Sequence, residues 1–359
     1  YFPESKLILN EYSVINNTTT TQKYIEIINL LKAENLIDGI GEQGHAFTTR
    51  NTPSATLTSN LDALAATGIP IHISELDVDG PTDLEQLKEY QRVFPIFWEH
   101  PAVEGITLWG YRYPVWRQDQ GANLITIDDI ERPALTWLKA YVNDTLTLTQ
   151  SITVSSAGDI DSIYVGDTLQ MSAMVLPANT TIPNITWSLT PTGLATIDAN
   201  GLLKATAAGT VAVNATAWDG SGIIGTKDIV VSNRLVDSII VSSDGNRDTI
   251  FVSETIQMNA QAFPNNSTDS SVTWSVTPAG PAQIDQNGLL TALAVGDIYV
   301  KATANDGSGA VDSVNMTILF RFVDSISVSA NGNKDTIFTG DMVQVSTLVL
   351  PQNASDPSV

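Results

Sequence analysis

The sequence predicts a multidomain chain in which an α/β region over residues 1–148 precedes all-β sandwich repeats. Two patterns predict this order. Up to residue 148, short apolar runs alternate with amphipathic segments, which is typical of strand–helix units. From residue 149, Val, Ile, Thr, Ser and Gly dominate with period-two alternation, and the pattern repeats every 87 residues, so that Trp187 recurs as Trp274.

The composition limits the classes of protein to which the chain can belong. Its 359 residues include 39 acidic and 17 basic side chains, and the net charge of -22 argues against binding to nucleic acid or to an anionic membrane. The chain has no cysteine, which excludes disulfides and thiolate metal ligands, and neither a metal nor a cofactor is predicted. No apolar run reaches the about 18 residues of a membrane-spanning helix, so no membrane span is predicted.

Four strand–helix units are predicted in the first region. Leu57, Leu61 and Leu64 have helical spacing, and Thr82 can cap the helix that follows it. Four successive units of this kind imply a parallel sheet with right-handed crossovers. The predicted strands are 6–10, 39–43, 68–78 and 105–110, and the predicted helices are 24–34, 54–67, 83–98 and 133–142.

Polar and aromatic side chains stand at the carboxyl ends of all four predicted strands. The third strand is the most informative, because Glu75 and Asp77 end an apolar run that glycine and proline bound. In a parallel sheet these ends share one edge, where barrel enzymes hold their catalytic groups. The other side chains at strand ends are Asn10 and Tyr12, Gln43 and His45, and Trp109.

Four units are half of a (β/α)8 barrel, which needs eight units and typically about 250 residues. An isolated half would leave two open sheet edges and an uncovered apolar interior. The chain begins with Tyr1 instead of Met, and its start shows no signal-peptide pattern. We therefore expect the missing N-terminal half of the barrel to come from elsewhere, most simply from upstream sequence of the same precursor.

Four motifs follow one another at these strand ends: N-E-Y-S at 10–13, G-E-Q-G-H at 41–45, S-E-L-D at 74–77, and T-L-W-G at 107–110 with Trp116 beyond it. Together they resemble strands five to eight of glycoside hydrolase family 10, the xylanase family of retaining (β/α)8 barrels. The resemblance implies that the first region is the C-terminal half of such a barrel. It also implies that a complete barrel hydrolyses β-1,4-xylan internally, with retention of configuration and without a cofactor. This chain alone is expected to be inactive.

The resemblance assigns roles to individual residues. Glu75 matches the catalytic nucleophile, His45 the histidine that hydrogen-bonds it, and Asp77 the group that orients this histidine. Such donors keep a carboxylate ionised and aimed. The six residues between the two tryptophans depart from the family pattern, and the family's acid/base Glu, at the end of strand four, would precede residue 1. The residues implied to bind substrate are Asn10, Tyr12, Gln43, Trp109 and Trp116.

The all-β repeats resemble bacterial Ig-like domains of group 2, small β-sandwiches that serve as spacers or adhesion modules. We predict one copy over 149–233, a second over 234–320 and a partial third over 321–359. Trp187 and Trp274 occupy the position of a core strand. This position favours a spacer or anchor over a sugar-binding module.

Three alternatives stay open at the level of sequence. The chain is a fragment of a secreted bacterial xylanase, or it is a non-enzymatic cell-surface array whose half-barrel is structural or binds glycan passively.

The segment D-G-S-G from Asp219 fits a hairpin turn better than a calcium loop. A triplet of Asp, Ser or Thr, and an aliphatic residue resembles the O-glycosylation motif of secreted Bacteroidetes proteins, or it is only a strand-entry pattern. It occurs at Asp144, Asp161, Asp167, Asp237, Asp248, Asp312, Asp324 and Asp335.

Overall fold

The computed structural model describes residues 4–356 and 358. The chain forms two compact units. The first contains the residues up to Asp161 with Leu169–Leu203 and Val211–Ile229, and the second contains Ser162–Thr168, Lys204–Thr210 and the residues from Val230 onward. The α/β region therefore shares a compact unit with most of the first predicted sandwich.

The α/β region forms a parallel sheet covered by helices. Its strands are β1 (Ile8–Glu11), β2 (Gly39–Glu42), β3 (Ile71–Leu76) and β4 (Val103–Leu108), and its helices are α1 (Thr18–Ala33), α2 (Ala46–Thr49), α3 (Ser54–Ala65), α4 (Asp83–Trp98) and α5 (Pro133–Val142). The four strands pair in the order β1-β2-β3-β4, and every pair is parallel. The prediction of a parallel sheet is confirmed.

Capping explains where two of the helices begin. Thr82 and Glu85 form a reciprocal capping box at the start of α4, where the sequence predicts a cap. The predicted helix 24–34 is wrong at its N-terminal end, because Asn17 accepts a hydrogen bond from the backbone N–H of Thr20 and α1 begins directly after it. The third predicted strand is also too long, since β3 comprises only its middle part.

The core of this region lies between the helices and one face of the sheet. On β3, Ile71 and Ile73 are completely buried, whereas the alternating residues His72 and Ser74 are only half-buried. The opposite face of the sheet therefore stays accessible. Other completely buried core residues are Leu57, Leu61, Leu64, Leu87 and Phe97.

No helix in the described part of the chain is both long and apolar enough to cross a membrane.

Both outer strands of the sheet have an open side among the described residues, because β1 and β4 stand at its two ends. At the β4 side, Trp98 is 48% exposed and Val103 is half-buried. Apolar surface is therefore exposed along two strand edges. The exposed apolar side chains on or beside β1 include Leu7, Ile8 and Ile27.

The rest of the chain is β-rich and repeats, as predicted. The first copy contains β5 (Ser151–Ser156), β6 (Ser162–Tyr164), β7 (Thr168–Leu176), β8 (Ile185–Thr190), β9 (Ala195–Ile197), β10 (Leu202–Ala205), β11 (Gly209–Ala217) and β12 (Ile224–Ser232). The second contains β13 (Ser238–Ser243), β14 (Thr249–Phe251), β15 (Thr255–Phe263), β16 (Val272–Thr277), β17 (Ala282–Ile284), β18 (Leu289–Ala292), β19 (Gly296–Ala304) and β20 (Val311–Leu319). In the third, β21 (Ser325–Ala330) pairs with β22 (Val345–Leu350).

Each of the first two copies has two four-stranded sheets. In the second copy their orders are β13-β15-β18-β17 and β14-β20-β19-β16. Trp274 on β16 packs against the core of this copy, in agreement with its predicted core position. Gly288 has φ +83, and a Cβ there would lie 2.6 Å from the carbonyl oxygen of Met258 and 3.2 Å from the Trp274 ring. Only glycine fits this turn beneath the tryptophan.

An arginine closes the joint that follows each of these two copies. The guanidinium carbon of Arg234 lies 4.0 Å from the ring centroid of Tyr164, and an Arg234 nitrogen lies 3.5 Å from an Asp167 oxygen. At the next joint the corresponding distances are 3.8 Å and 3.2 Å. The same contact is thus built twice. The residues of the second joint are Arg321, Phe251 and Glu254.

Candidate active site

Three of the predicted residues meet at the carboxyl ends of β2 and β3. His45 Nε2 lies 3.4 Å from Glu75 Oε2, and His45 Nδ1 lies 2.9 Å from Asp77 Oδ2. The imidazole therefore links the two carboxyl groups. The Glu75 side chain keeps 16% of its surface exposed, whereas that of Asp77 keeps 2%. Of the two acids, Glu75 is the one that a ligand can reach.

Asn10, at the end of β1, holds the other oxygen of Glu75. Its Nδ2 donates to Glu75 Oε1 at 2.9 Å, and its Oδ1 accepts from the hydroxyl of Ser74 at 2.6 Å. Gly41 makes room for this amide, because a Cβ at position 41 would lie 2.5 Å from Asn10 Oδ1. Each oxygen of Glu75 therefore faces a nitrogen, and the carboxylate has a defined orientation.

Aromatic rings surround the imidazole of His45. The ring centroid of Trp116 stacks 5.1 Å from it, and Trp109 meets it edge-on at 6.3 Å, so Trp116 reaches the site despite its unusual spacing. Phe47 stacks at 5.2 Å and meets Tyr12 edge-on at 6.2 Å. The side chains of Trp109, Trp116 and Tyr12 are 45%, 59% and 53% exposed. They present flat apolar surfaces beside Glu75.

Asp77 fixes the imidazole of His45 through its contact with Nδ1. Burial raises the pKa of Asp77 above its ordinary value, although hydrogen bonds from the backbone N–H of Ala46 and from His45 act to lower it. The Ala46 N–H donates to Asp77 Oδ1 at 2.7 Å, so both oxygens of this acid are occupied. Asp77 therefore positions His45 and does not itself face a ligand.

A further buried acid connects the loops around the site. Asp79 is 1% exposed, and its Oδ1 accepts from Arg50 at 2.7 Å while its Oδ2 accepts from Arg117 Nε at 3.0 Å. Arg117 also lies 5.8 Å from the ring centroid of Phe47. The sequence pattern does not predict Phe47, Asp79 or Arg117. The acid repeated at period two after Asp77 is the one local signal, and it points to Asp79 alone.

Glu42, at the end of β2, is completely buried. Burial raises the pKa of Glu42 to about 8, backbone hydrogen bonds from Gly44 and Val14 act against this shift, and the charge of Glu11 adds to it. The Gly44 N–H donates to Glu42 Oε1 at 3.2 Å, whereas Oε2 has no hydrogen-bond partner among the described residues. Through this hydrogen bond Glu42 supports the turn that leads to His45.

Gln43 is placed beside the site by its backbone. Its N–H donates to the carbonyl of Glu11 at 3.2 Å, and its carbonyl accepts from the N–H of Glu75 at 3.0 Å. These bonds align the ends of β1, β2 and β3.

Within residues 4–356 and 358, no group of three or more His, Asp or Glu side chains is arranged to hold a metal ion.

The fold and the site together define a class of protein. A parallel β/α sheet presents a positioned carboxylate bordered by exposed aromatic rings, a combination typical of enzymes that act on carbohydrates, and Ig-like repeats follow it. The families match in detail. Residues 1–141 match the family model of glycosyl hydrolase family 10, and residues 144–226 and 235–314 match that of the bacterial Ig-like domain (group 2). Both resemblances are confirmed, and with them the fold class of a partial TIM barrel followed by Ig-like domains.

Individual relatives each match part of the chain. Endo-1,4-beta-xylanase B of Cellvibrio japonicus (strain Ueda107) is 40% identical over 147 residues, which are 40% of this chain and 23% of the relative. An Ig-like virion protein of Serratia phage KSP90 is 31% identical over 173 residues, 47% of this chain and 65% of the relative. The crystal structure of xylanase 10B from Thermotoga petrophila RKU-1 in complex with xylobiose has 25% identity and a TM-score of 0.35, over 40% of this chain and 47% of that one. The chain thus spans about a quarter of the length of the Cellvibrio xylanase.

Proposed function

We propose that the α/β region is the C-terminal half of a retaining endo-1,4-β-xylanase whose nucleophile is Glu75. The observation that carries this proposal is the contact of both Glu75 oxygens with positioned nitrogens, Asn10 Nδ2 at 2.9 Å and His45 Nε2 at 3.4 Å. The name of the Cellvibrio relative supports β-1,4-xylan as the substrate. The proposed reaction uses no cofactor.

In this reaction Glu75 attacks the anomeric carbon of a xylose unit and forms a covalent glycosyl-enzyme intermediate. A second carboxylic acid gives its proton to the leaving oxygen and then, as a base, activates the water that releases the sugar. Asn10 and His45 hold the Glu75 carboxylate in its line of attack. The ring of His45 has a carboxyl group at each nitrogen, so only its doubly protonated form donates to both. Asp77 keeps this ring in place.

The substrate-binding residues are proposed from their exposure and position. Trp109 and Trp116 offer apolar faces to the C–H surfaces of a pyranose, and Tyr12 extends this wall towards β1. Asn10 touches Glu75 directly, so it would also meet a sugar bound there. Gln43 is half-buried between the ends of β1 and β3 and is proposed to contact the same sugar.

The proposed reaction needs a second carboxyl group about 5–5.5 Å from the nucleophile. Asp77 is unsuited to donate a proton to substrate, because it is buried and both its oxygens accept hydrogen bonds. We therefore propose that four further β/α units complete the barrel at the open sides of β1 and β4 and supply the acid. On this proposal, residues 4–148 alone do not hydrolyse xylan. The exposed apolar side chains that support it are Leu7, Ile8, Ile27 and Trp98.

A mechanism-based inhibitor tests the role of Glu75. The chain is joined to the first four β/α units of the Cellvibrio relative and treated with a 2-deoxy-2-fluoro-xylobioside, and mass spectrometry locates the covalent label. We expect the label on Glu75, and Glu75→Gln should lose the label and lower xylan hydrolysis by about 10³-fold or more. Glu34→Gln, an exposed substitution after α1, serves as the matched control.

Two results would contradict the assignment. A label on another residue, or equal hydrolysis by the completed barrel and its Glu75→Gln variant, would remove Glu75 as the nucleophile. A completed barrel that neither reacts with the inhibitor nor hydrolyses xylan, but binds xylan equally well with and without the substitution, would favour the alternative of a non-enzymatic, glycan-binding surface protein.

The Ig-like copies are proposed to act as spacers or anchors of a secreted or surface-attached protein. Trp274 is half-buried and packs against the core of the second copy, a position that favours packing over contact with a sugar. Pull-down of the chain by insoluble xylan tests this role: binding that survives Trp109→Ala and Trp116→Ala together, but disappears when the Ig-like copies are deleted, would show that these copies bind sugar.

Glycosylation of the Asp–Ser/Thr–aliphatic triplets is a separate proposal. The hydroxyl side chain is exposed in Thr145, Ser162 and Ser238, while the following aliphatic residue is buried in Ile163 and Ile239. Strand alternation alone also produces this arrangement. The intact mass of the native protein separates the two explanations, because a mass without any excess that corresponds to added sugars would rule out glycosylation.

A further inference from the structure

The first sandwich copy carries an apolar contact surface. Ile182, between β7 and β8, is only 2% exposed and belongs to the same apolar core as the buried residues of α4 and α5. Trp218, which directly follows β11, packs against this core as well. Both residues lie within the first compact unit, together with the α/β region. The core of the α/β region therefore extends onto the sandwich.

A hydrogen bond accompanies this apolar contact. Gln91 on α4 donates from Nε2 to the backbone carbonyl of Trp218 at 3.2 Å. The amide group of Gln91 also lies against Gly220, where a Cβ would be 3.5 Å from it. At Gly307, the equivalent of Gly220 in the second copy, a Cβ would meet nothing within 4 Å. The turn after β11 is thus in contact with α4 in the first copy and open in the second.

The equivalent positions in the other copies are polar. Ile182 corresponds to Asp269 in the second copy and to Asp356 in the third, and each aspartate accepts a hydrogen bond from the backbone N–H two residues later. Trp218 corresponds to Asn305, and both side chains make a 2.7 Å hydrogen bond to a threonine of the neighbouring strand. The copy that follows the α/β region therefore has apolar side chains where the second copy has a turn-capping aspartate and an asparagine.

We propose that the first sandwich copy is a dedicated partner of the α/β region, docked on α4 through Ile182, Trp218 and Gln91, and that the later copies cannot replace it. Burial of the two apolar side chains drives this contact. An aspartate at position 182 would bring a carboxylate into this apolar contact, and removing that carboxylate from water costs free energy. This role differs from that of a spacer and does not depend on hydrolysis by Glu75.

Hydrogen exchange in the full chain tests the docking. The double variant Ile182→Asp with Trp218→Asn gives the first copy the residues of the second. It should raise the exchange rates of amides in α4 about tenfold or more, while the amides of β8 and β11 stay protected. The matched control is the reverse exchange in the second copy, Asp269→Ile with Asn305→Trp, which should leave α4 unchanged.

Two outcomes overturn the proposal. The first is an unchanged exchange rate in α4 while β8 and β11 of the double variant remain protected. If the double variant instead loses protection in β8 and β11, Gln91→Ala decides, because it alters only the α/β side. This variant should raise exchange in residues 218–222 about threefold, as expected for one lost hydrogen bond, and no change there is the second overturning outcome.

Discussion

The α/β region and the second sandwich copy treat charged groups in opposite ways. The α/β region buries Glu42, Asp77, Asp79 and Arg132, each at most 7% exposed, whereas the described residues of the second copy include no buried charged side chain. Burying a charge lowers stability unless its partners compensate for it. The core of the second copy is thus built without buried charged side chains, whereas the α/β region holds Asp77, Asp79 and Arg132 through ion pairs and hydrogen bonds.

The largest effect is expected from cavities in the two cores. Leu61 in the α/β region and Leu290 in the second copy are both completely buried. Leu61→Ala and Leu290→Ala should each lower the free energy of unfolding of their own region by about 2–5 kcal/mol. Urea unfolding followed by hydrogen exchange reports the two regions separately.

The position next to Leu290 supplies the control. Leu289 on the same strand is 40% exposed, so Leu289→Ala should cost well under 1 kcal/mol, as is usual for exposed substitutions. Because Leu61 and Leu290 belong to different compact units, each cavity should leave the other region unchanged. A loss of stability in both regions from either cavity would contradict their independence.

A pH-dependent effect, which reaches its full size only above pH 8, is expected at Glu42. Burial raises the pKa of Glu42 to about 8 in the folded chain, from an ordinary value of 4.5. Unfolding between these two pH values releases a proton, so this acid lowers the stability of the α/β region progressively as the pH rises from about 4.5 to about 8. Glu42→Gln cannot ionise and should remove this loss.

The difference in unfolding free energy between Glu42→Gln and the native chain should therefore be small at pH 5 and reach roughly 2–5 kcal/mol in favour of the variant at pH 8–9. Denaturant titrations at several pH values measure it. Glu26→Gln removes an exposed carboxyl group from α1 and controls for the change in net charge. A difference that does not vary with pH would show that Glu42 is ionised in the folded chain throughout this range.

The smallest effect is expected at the arginine joints. Arg321 contributes a ring contact with Phe251 and an ion pair with Glu254, interactions of about 0.5–1 kcal/mol each. Arg321→Ala should therefore leave the stability of the second copy nearly unchanged but increase proteolytic cleavage between residues 319 and 325. Lys334→Ala, an exposed substitution, is the control. A loss of more than about 2 kcal/mol would mean that the joint is part of the sandwich core.

Periodicity predicts most of the fold, because both helices and alternating strands leave a regular apolar pattern. It also predicts that Glu75, His45 and Asp77 lie at one edge of the sheet, since the carboxyl ends of parallel strands share an edge, whereas the contacts among them are implied by the family resemblance. The start of α1 is missed, because a single hydrogen bond from Asn17 sets it and apolar spacing does not.

The remaining parts of the site depend on contacts between distant loops. Phe47 stacks on His45, and Arg117 donates a hydrogen bond to Asp79. Both contacts depend on the paths of the segments after β2 and β4, which no local spacing in the sequence predicts. The sequence does not predict the burial of Glu42 either, since an acid at a strand end is usually solvated. The difference between Trp218 and Asn305 is visible in the sequence, but its meaning depends on the position of α4.

The arginine joints also determine how the chain responds to force. Joints and sandwiches lie in series along the chain, so a pull loads them equally and the weakest contact yields first. The joint at Arg321 depends on one ring contact and one ion pair, whereas β19 and β20 pair along Gly296–Thr303. We expect the joints to open and close reversibly while the sandwiches stay folded. Single-molecule stretching should show short, low-force extensions before any unfolding event, and those that come from the second joint should disappear in Arg321→Ala.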